Sequence, residues 1–93
     1  MRRYLAALAL IGLTFWLYGF SVSLYAGRCR QPHIPPQDRV GICRNARQLS
    51  GWLMTDAQLS GFFRNEGLAL SELGRHTEAA AAFAEAERLT SAP

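Results

Sequence analysis

Lysine is absent from this chain, and reactive side chains are few. All ten basic residues are arginines, set against seven acidic residues, and the 93 residues include two histidines and two cysteines. The arginines are scattered along the chain, so the net charge of +3 does not predict a nucleic-acid surface. A chain of this length allows one small domain at most.

Motifs for catalysis and for metal binding are missing as well. The sequence has no glycine-rich phosphate loop, no paired metal-ligand motif and no nucleophile elbow. His33 lies in a proline-rich stretch and His76 near a turn, and neither has a nucleophile nearby in sequence. We therefore expect a protein that is not an enzyme, with no cofactor, no metal, no small-molecule substrate and no nucleic-acid partner.

Charge is also absent from the 23 residues between Tyr4 and Ala26. As a helix this segment is about 34 Å long, at about 1.5 Å per residue, whereas a bilayer core is about 30 Å thick. Two arginines precede it and two follow it, and Tyr4, Tyr18 and Tyr25 are suited to the headgroup levels. Residues 1–27 are predicted to form a retained membrane anchor helix.

The alternative for this segment is a cleaved secretory signal. Signal peptides have shorter apolar cores, of about 7–15 residues, and a cleavage site with small residues. Ser21 and Ser23 supply such a pattern, and cleavage there would leave a chain starting near Leu24. The length of the apolar segment favours the retained anchor.

Small residues recur along the apolar segment. Gly12, Gly19, Ser23 and Gly27 follow one another at intervals of seven, four and four, which places them on one side of a helix. Such stripes allow membrane helices to pack closely. We expect this stripe to contact a neighbouring membrane helix.

A linker and one further helix follow the apolar segment. Residues 28–37 contain three prolines, which disfavour a regular helix, so a helical domain is expected over 38–93. Its first helix is predicted to begin after Pro36 and to run to about Met54. Four apolar residues share a face of that helix, with Cys43 beside them: Ile42, Ala46, Leu49 and Leu53.

The two cysteines are separated by fourteen positions. A disulfide between Cys29 and Cys43 would close a loop of about fifteen residues and contribute about 3 kcal/mol. It would also indicate an oxidising compartment such as the periplasm. Unpaired thiols, or a metal site that adds His33, are the alternatives, although no fourth ligand is evident.

The last third of the chain predicts two short amphipathic helices. A capping box of Thr55 and Gln58 opens the first, whose apolar face is Leu59, Phe63, Gly67, Leu70 and Leu73. Gly74 is suited to end it in the left-handed conformation, and Thr77 to cap the second helix. The second apolar face consists of Ala79, Phe83, Ala86 and Leu89.

These residues resemble the tetratricopeptide repeat (TPR), a family with a 34-residue helix–turn–helix unit. Seven positions match its pattern in type and spacing: Phe63, Gly67, Leu70, Gly74, Ala79, Phe83 and Ala86. Glu66 stands where an apolar residue is usual, and the closing proline comes late, at Pro93. A generic alanine-rich helical hairpin is the alternative.

The resemblance implies a protein-interaction scaffold. Some family members bind a peptide carboxylate with a basic residue and an asparagine. Arg64 matches the basic position and is a possible partner contact, but Leu68 occupies the place of the asparagine.

The fold expected is all-α, with a single transmembrane helix followed by a TPR-like hairpin and one preceding helix. The lysine-free, alanine-rich composition is typical of GC-rich bacterial genomes. Arginines flank the apolar segment on both sides and leave its orientation open, but the expected disulfide favours a periplasmic C-terminal part. We expect a small accessory subunit of a bacterial inner-membrane complex, with integral membrane proteins as partners; the alternative is an exported periplasmic adaptor.

Overall fold

The computed structural model describes residues 2–91, without the side chains of Val22 and Tyr25. The predicted domain ends at Met1 and Pro93 therefore lie outside the described residues, and so does the predicted role of the Tyr25 side chain. Every regular element between residues 2 and 91 is helical. The α-helices are α1 (Arg2–Gly27), α2 (Pro36–Ser50), α3 (Asp56–Glu72) and α4 (His76–Ser91), and two 3-10 turns occupy Arg28–Arg30 and Gly51–Leu53. The predicted all-α fold is confirmed.

Helix α1 contains an apolar stretch long enough to cross a membrane. The 20 residues Arg2–Ser21 have a mean hydropathy of 1.6, and none of this stretch is buried against the rest of the protein. Trp16 and Phe20, one turn apart, stack with their ring centroids 5.5 Å from each other. Most of α1 thus projects from the protein without covering any core.

Helix α2 begins at Pro36, two residues before the expected domain boundary, because proline suits the first position of a helix. It ends at Ser50, and a 3-10 turn continues the chain to Leu53. The predicted apolar face was wrong in part. Ala46 is buried, but the other buried positions are Arg39, Val40, Cys43 and Ser50, whereas Leu49 and Leu53 are exposed.

The choice of buried side in α2 has a physical cause. Cys43 is joined to Cys29, just after α1, and this bond turns the side of α2 that carries Cys43 inward. Arg44 and Arg47 reach the buried carboxylate of Glu66 on α3, so the charged residues also face the neighbouring helix. Covalent and ionic contacts, rather than the apolar periodicity of α2, determine which side is covered.

The ends of α3 follow local sequence signals. Thr55 and Gln58 form the predicted capping box, each side chain accepting a hydrogen bond from the other residue's backbone N–H. Gly74 has φ +76°, the left-handed conformation that glycine adopts at little cost. The Gly74 N–H donates to the Ser71 carbonyl at 3.0 Å and the Arg75 N–H to the Leu70 carbonyl at 2.9 Å. This pair of hydrogen bonds is the Schellman motif that satisfies the last carbonyls of a helix.

Helix α4 starts at His76, so the prediction that Thr77 caps it was wrong. Thr77 lies inside the first turn, since the chain is already helical directly after Gly74 and Arg75. The tight turn leaves no room for an additional loop residue between the two helices.

Helices α3 and α4 pack through small residues. A Cβ atom built on Gly67 would lie 2.9 Å from Cε1 of Phe83, closer than side chains approach each other. The core around this contact consists of Val40, Ala69, Leu70, Ala79 and Ala82, with Phe83 packed against it. At the other end of the pair, the buried hydroxyl of Ser60 donates to the Ala86 carbonyl at 3.0 Å.

Candidate interaction surfaces

The two cysteines connect α1 to the helical domain. Cys29 and Cys43 form a disulfide with their Cα atoms 5.0 Å apart, and both are buried. Since Cys29 follows α1 by two residues, the bond holds the end of α1 against the middle of α2. Pairing uses both sulfurs, so no thiol remains for a metal site with His33, which is exposed.

A second contact joins the same helices closer to the N-terminus of α1. The Tyr18 hydroxyl donates to the Leu49 carbonyl in the last turn of α2, at 3.1 Å. Carbonyls in the last turn of a helix have no partner within the helix, so Tyr18 satisfies one that α2 leaves free. Because Cys43 meets Cys29 and Leu49 meets Tyr18, α2 runs back along α1 in the opposite direction.

A groove of about 510 Å³ lies between α1 and the start of α3. Small and apolar residues line it together with several polar ones. The lining consists of Tyr18, Gly19, Ser23, Ala26 and Gly27 from α1, Arg30, Ser50, Leu53 and Met54 from the connections and the end of α2, and Ala57, Gln58, Gly61, Phe62 and Asn65 from α3.

Three of the four residues of the predicted small-residue stripe line this groove: Gly19, Ser23 and Gly27. The fourth, Gly12, lies closer to the N-terminus of α1 and is exposed. A Cβ atom added at Gly12, Gly19 or Gly27 would meet nothing within 4 Å outside its own helix turn. The stripe is therefore not packed closely within the chain, and its contact with a neighbouring membrane helix stays a prediction.

A buried ionic cluster, which the sequence did not predict, joins α2 to α3. The Glu66 carboxylate is 4% exposed and accepts from Arg44 Nε at 2.6 Å and from Arg47 Nη2 at 3.1 Å. The Arg47 guanidinium also lies over the Phe63 ring, 4.2 Å from its centroid, a cation–π contact. The signal in the sequence was Glu66 itself, an acid at a position where the repeat pattern has an apolar residue.

A second ion pair closes the opposite end of the same interface. Buried Arg39 donates from Nε to the Ile34 carbonyl at 2.9 Å and forms an ion pair with Glu72 near the end of α3. The linker, α2 and α3 are thus connected by one side chain. Together with Glu66, this arginine makes the α2–α3 contact polar where the α3–α4 contact is apolar.

The predicted repeat residues take up different positions. Gly67, Leu70, Ala79 and Ala86 are buried, Phe63 and Phe83 are partly buried, and Gly74 forms the exposed turn. All seven residues lie in α3, in α4 or in the turn that connects the two helices.

Arg64, the predicted partner contact, lies exposed on α3. Leu68, one turn further along, is 50% exposed and extends the same side of the helix. This side of α3 is open to a partner protein, and it presents one positive charge and one apolar side chain.

The open side of α4 carries a local ion pair. Arg88 donates from Nε to Glu85 at 3.0 Å, and this hydrogen bond lowers the pKa of the Glu85 carboxyl below its usual value. The same contact raises the pKa of Arg88. Pairs of this kind on a helix surface contribute little to stability, so their role is to keep this side of α4 polar.

Within residues 2–91, no three side chains of His, Cys, Asp or Glu come together as metal ligands. The groove and the exposed helix sides instead provide shape, apolar area and a few charges, which are the properties of binding surfaces.

Comparison of the chain with protein-family models, with curated proteins and with solved structures finds no match. The resemblance to the tetratricopeptide repeat accordingly stays a prediction from the residues of α3 and α4.

Proposed function

We propose that this chain is a membrane-anchored protein-interaction protein, with a TPR-like hairpin held at the membrane surface by α1. In this proposal it is a small accessory subunit of a larger complex in the bacterial inner membrane. Its C-terminal part lies in the periplasm, and its partners are integral membrane proteins.

The uncovered apolar stretch of α1 carries this proposal. No residue of Arg2–Ser21 is buried, and large side chains such as Leu8, Leu10 and Phe15 are mostly exposed. Apolar area of this extent is not stable in water and is typical of a membrane or protein interface. A bilayer together with a neighbouring membrane helix would cover it.

The disulfide supports the periplasmic side. Structural disulfides persist in the periplasm and are rare in the bacterial cytoplasm, where thiols are kept reduced. The bond between Cys29 and Cys43 follows α1 directly, so the domain beyond it would have crossed the membrane. This orientation leaves the N-terminal end of α1 on the cytoplasmic side.

The contacts of α1 with the domain favour a retained anchor over the alternative of an exported adaptor. Cleavage near Leu24 would remove Tyr18 and its hydrogen bond to Leu49, together with Gly19 and Ser23 from the groove wall. A cleaved chain would lose one wall of its groove. Mass spectrometry of the mature protein distinguishes the two, because an N-terminal peptide that begins before Tyr18 contradicts cleavage.

The partner is tested by purifying the tagged full-length chain from the membranes of its own cells in mild detergent. Other subunits should co-purify, and replacing both Gly19 and Ser23 with leucine should remove them, because leucine fills the space that a close helix neighbour needs. The matched control replaces Ala7 and Thr14 with leucine, on the opposite side of α1. Purification of the wild-type chain alone, as a well-folded monomer, would contradict the accessory-subunit proposal.

A further inference from the structure

The last two residues of α2 and the turn that follows them, residues 49–54, form a largely exposed and mostly apolar segment that we call the elbow. Trp52 is 74% exposed, Leu53 62% and Leu49 49%. Between Arg47 and Asp56 the chain carries no charge, so a continuous uncharged stretch covers the elbow and its flanks. Neighbouring apolar side chains exposed to this extent indicate a surface that meets something other than water.

The depth of the elbow along α1 follows from two contacts. The Tyr18 hydroxyl bonds to the Leu49 carbonyl, and Leu53 lines the groove together with Tyr18. The elbow therefore lies at the level of Tyr18, inside the uncharged segment that runs from Tyr4 to Ala26. At about 1.5 Å per residue, Ser21 lies roughly 4.5 Å and Ala26 roughly 12 Å beyond Tyr18 along α1.

A bilayer that held α1 as far as Ser21 would have its upper boundary at this level. We propose that the elbow lies in the boundary between headgroups and acyl chains, with Trp52 and Leu53 in contact with lipid. This inference rests on the proposed membrane anchoring of α1. Amphipathic segments at such a boundary insert their apolar side by about 5–10 Å, and tryptophan is enriched there.

A deeper position of α1 in the bilayer is less compatible with the structure. If α1 were embedded as far as Ala26, Tyr18 would lie roughly 12 Å below the end of the embedded segment. The exposed polar side chain of Gln48, in the last turn of α2, would then enter the hydrocarbon, or the bond between Tyr18 and Leu49 would break. A span that ends near Ser21 keeps both the bond and the usual length of about 20 residues.

The two native tryptophans allow the test, because each reports one part of this arrangement. The full-length chain is reconstituted in vesicles of phosphatidylcholine and phosphatidylglycerol, with the phosphatidylcholine brominated near the top or near the end of the acyl chain. Trp16→Phe leaves Trp52 as the reporter of the elbow, and Trp52→Phe leaves Trp16 as the reporter of α1. Leu68→Trp, made with both tryptophans replaced by phenylalanine, reports a partly exposed site about 18 Å along α3 from its start.

Trp52 should lose most of its emission with the shallow bromine and less with the deep one, and it should be shielded from iodide in the water. The Leu68→Trp reporter should be quenched by iodide and not by bromine. If Trp16 is quenched by bromine while Trp52 is quenched by iodide alone, the elbow is not in the membrane although α1 is. Equal bromine quenching at Trp52 and at Leu68→Trp would also overturn the inference, since the whole domain would then lie on the lipid. If bromine fails to quench Trp16, the anchoring proposal fails and the elbow proposal with it.

Discussion

The close approach of α3 and α4 depends on the missing side chain at Gly67. A Cβ at this position would lie 2.9 Å from Cε1, 3.0 Å from Cζ and 3.1 Å from Cδ1 of Phe83. Gly67→Ala therefore forces the ring of Phe83 to move. Gly61, on the same helix, is the matched control, because a Cβ added there meets nothing within 4 Å outside the helix.

Two opposing effects determine the expected change in the free energy of unfolding. Alanine is favoured over glycine within a helix by about 0.5–1 kcal/mol, so Gly61→Ala should stabilise the protein by that amount. Overpacking a well-filled contact costs about 1–3 kcal/mol. The partly buried ring of Phe83 can move in part, so we expect a cost of about 1–2 kcal/mol, the lower half of that range. Gly67→Ala should thus be less stable than Gly61→Ala by about 1–2 kcal/mol.

The measurement is guanidinium unfolding of the full-length chain in mild detergent, combined with hydrogen–deuterium exchange of the α4 backbone amides. Exchange is needed because α1 stays helical in detergent and masks part of the circular dichroism change. Adding Phe83→Leu to Gly67→Ala should recover part of the loss, since leucine gives the new methyl group room. If Gly67→Ala and Gly61→Ala change α4 protection equally, the close packing of α3 on α4 is contradicted.

Three further predictions concern the same domain. Phe83→Ala should cost about 2–4 kcal/mol, below the value for a fully buried ring, and unchanged α4 protection would show that Phe83 is not part of a core. Glu66→Gln should cost about 1.5–3 kcal/mol, because its carboxylate accepts from two guanidinium groups, whereas Glu85→Gln on the exposed side of α4 should change little. Equal effects of these two substitutions would contradict a buried ionic cluster. Thiol titration in guanidinium without reductant should find neither Cys29 nor Cys43 free, and reduction should cost about 3 kcal/mol; two reactive thiols would rule out the disulfide.

The unfolding step in the thiol titration follows from the structure. Cys29 and Cys43 are both buried, so a reagent added to the native protein would react slowly even with reduced thiols. Titration of the unfolded chain removes this ambiguity. The control is the same sample treated with reductant, in which both thiols should react.

Local signals in the sequence were sufficient for the ends of α3 and for its partner helix. Thr55 and Gln58 form their capping box within four residues, and Gly74 ends the helix through its own backbone conformation. The spacing placed Gly67 and Phe83 on the apolar faces of two consecutive helices, and a tight turn brings such faces together. Each of these features depends on neighbours close in sequence.

The buried side of α2 was not predictable in the same way. Its apolar residues Leu49 and Leu53 point away from the core, and Arg39 is buried instead. The partners that decide this lie far along the chain: Glu66 is 22 residues from Arg44, and Tyr18 is 31 residues from Leu49. Helical periodicity shows that a helix has two sides but not which side a distant charge or disulfide will cover.

The sequence by itself therefore determined the all-α class, the apolar length of α1, the hairpin with Gly74 at its turn and the two cysteines available to pair. The tertiary structure decided how these parts face one another. It placed Gly19 and Ser23 along a groove of the protein itself, buried Glu66 between two arginines and left Trp52 exposed three residues after Leu49, whose carbonyl accepts from Tyr18. The physical reason is range: helix formation is set by hydrogen bonds and spacing within a few residues, whereas burial is set by the contacts that distant segments make after they pack.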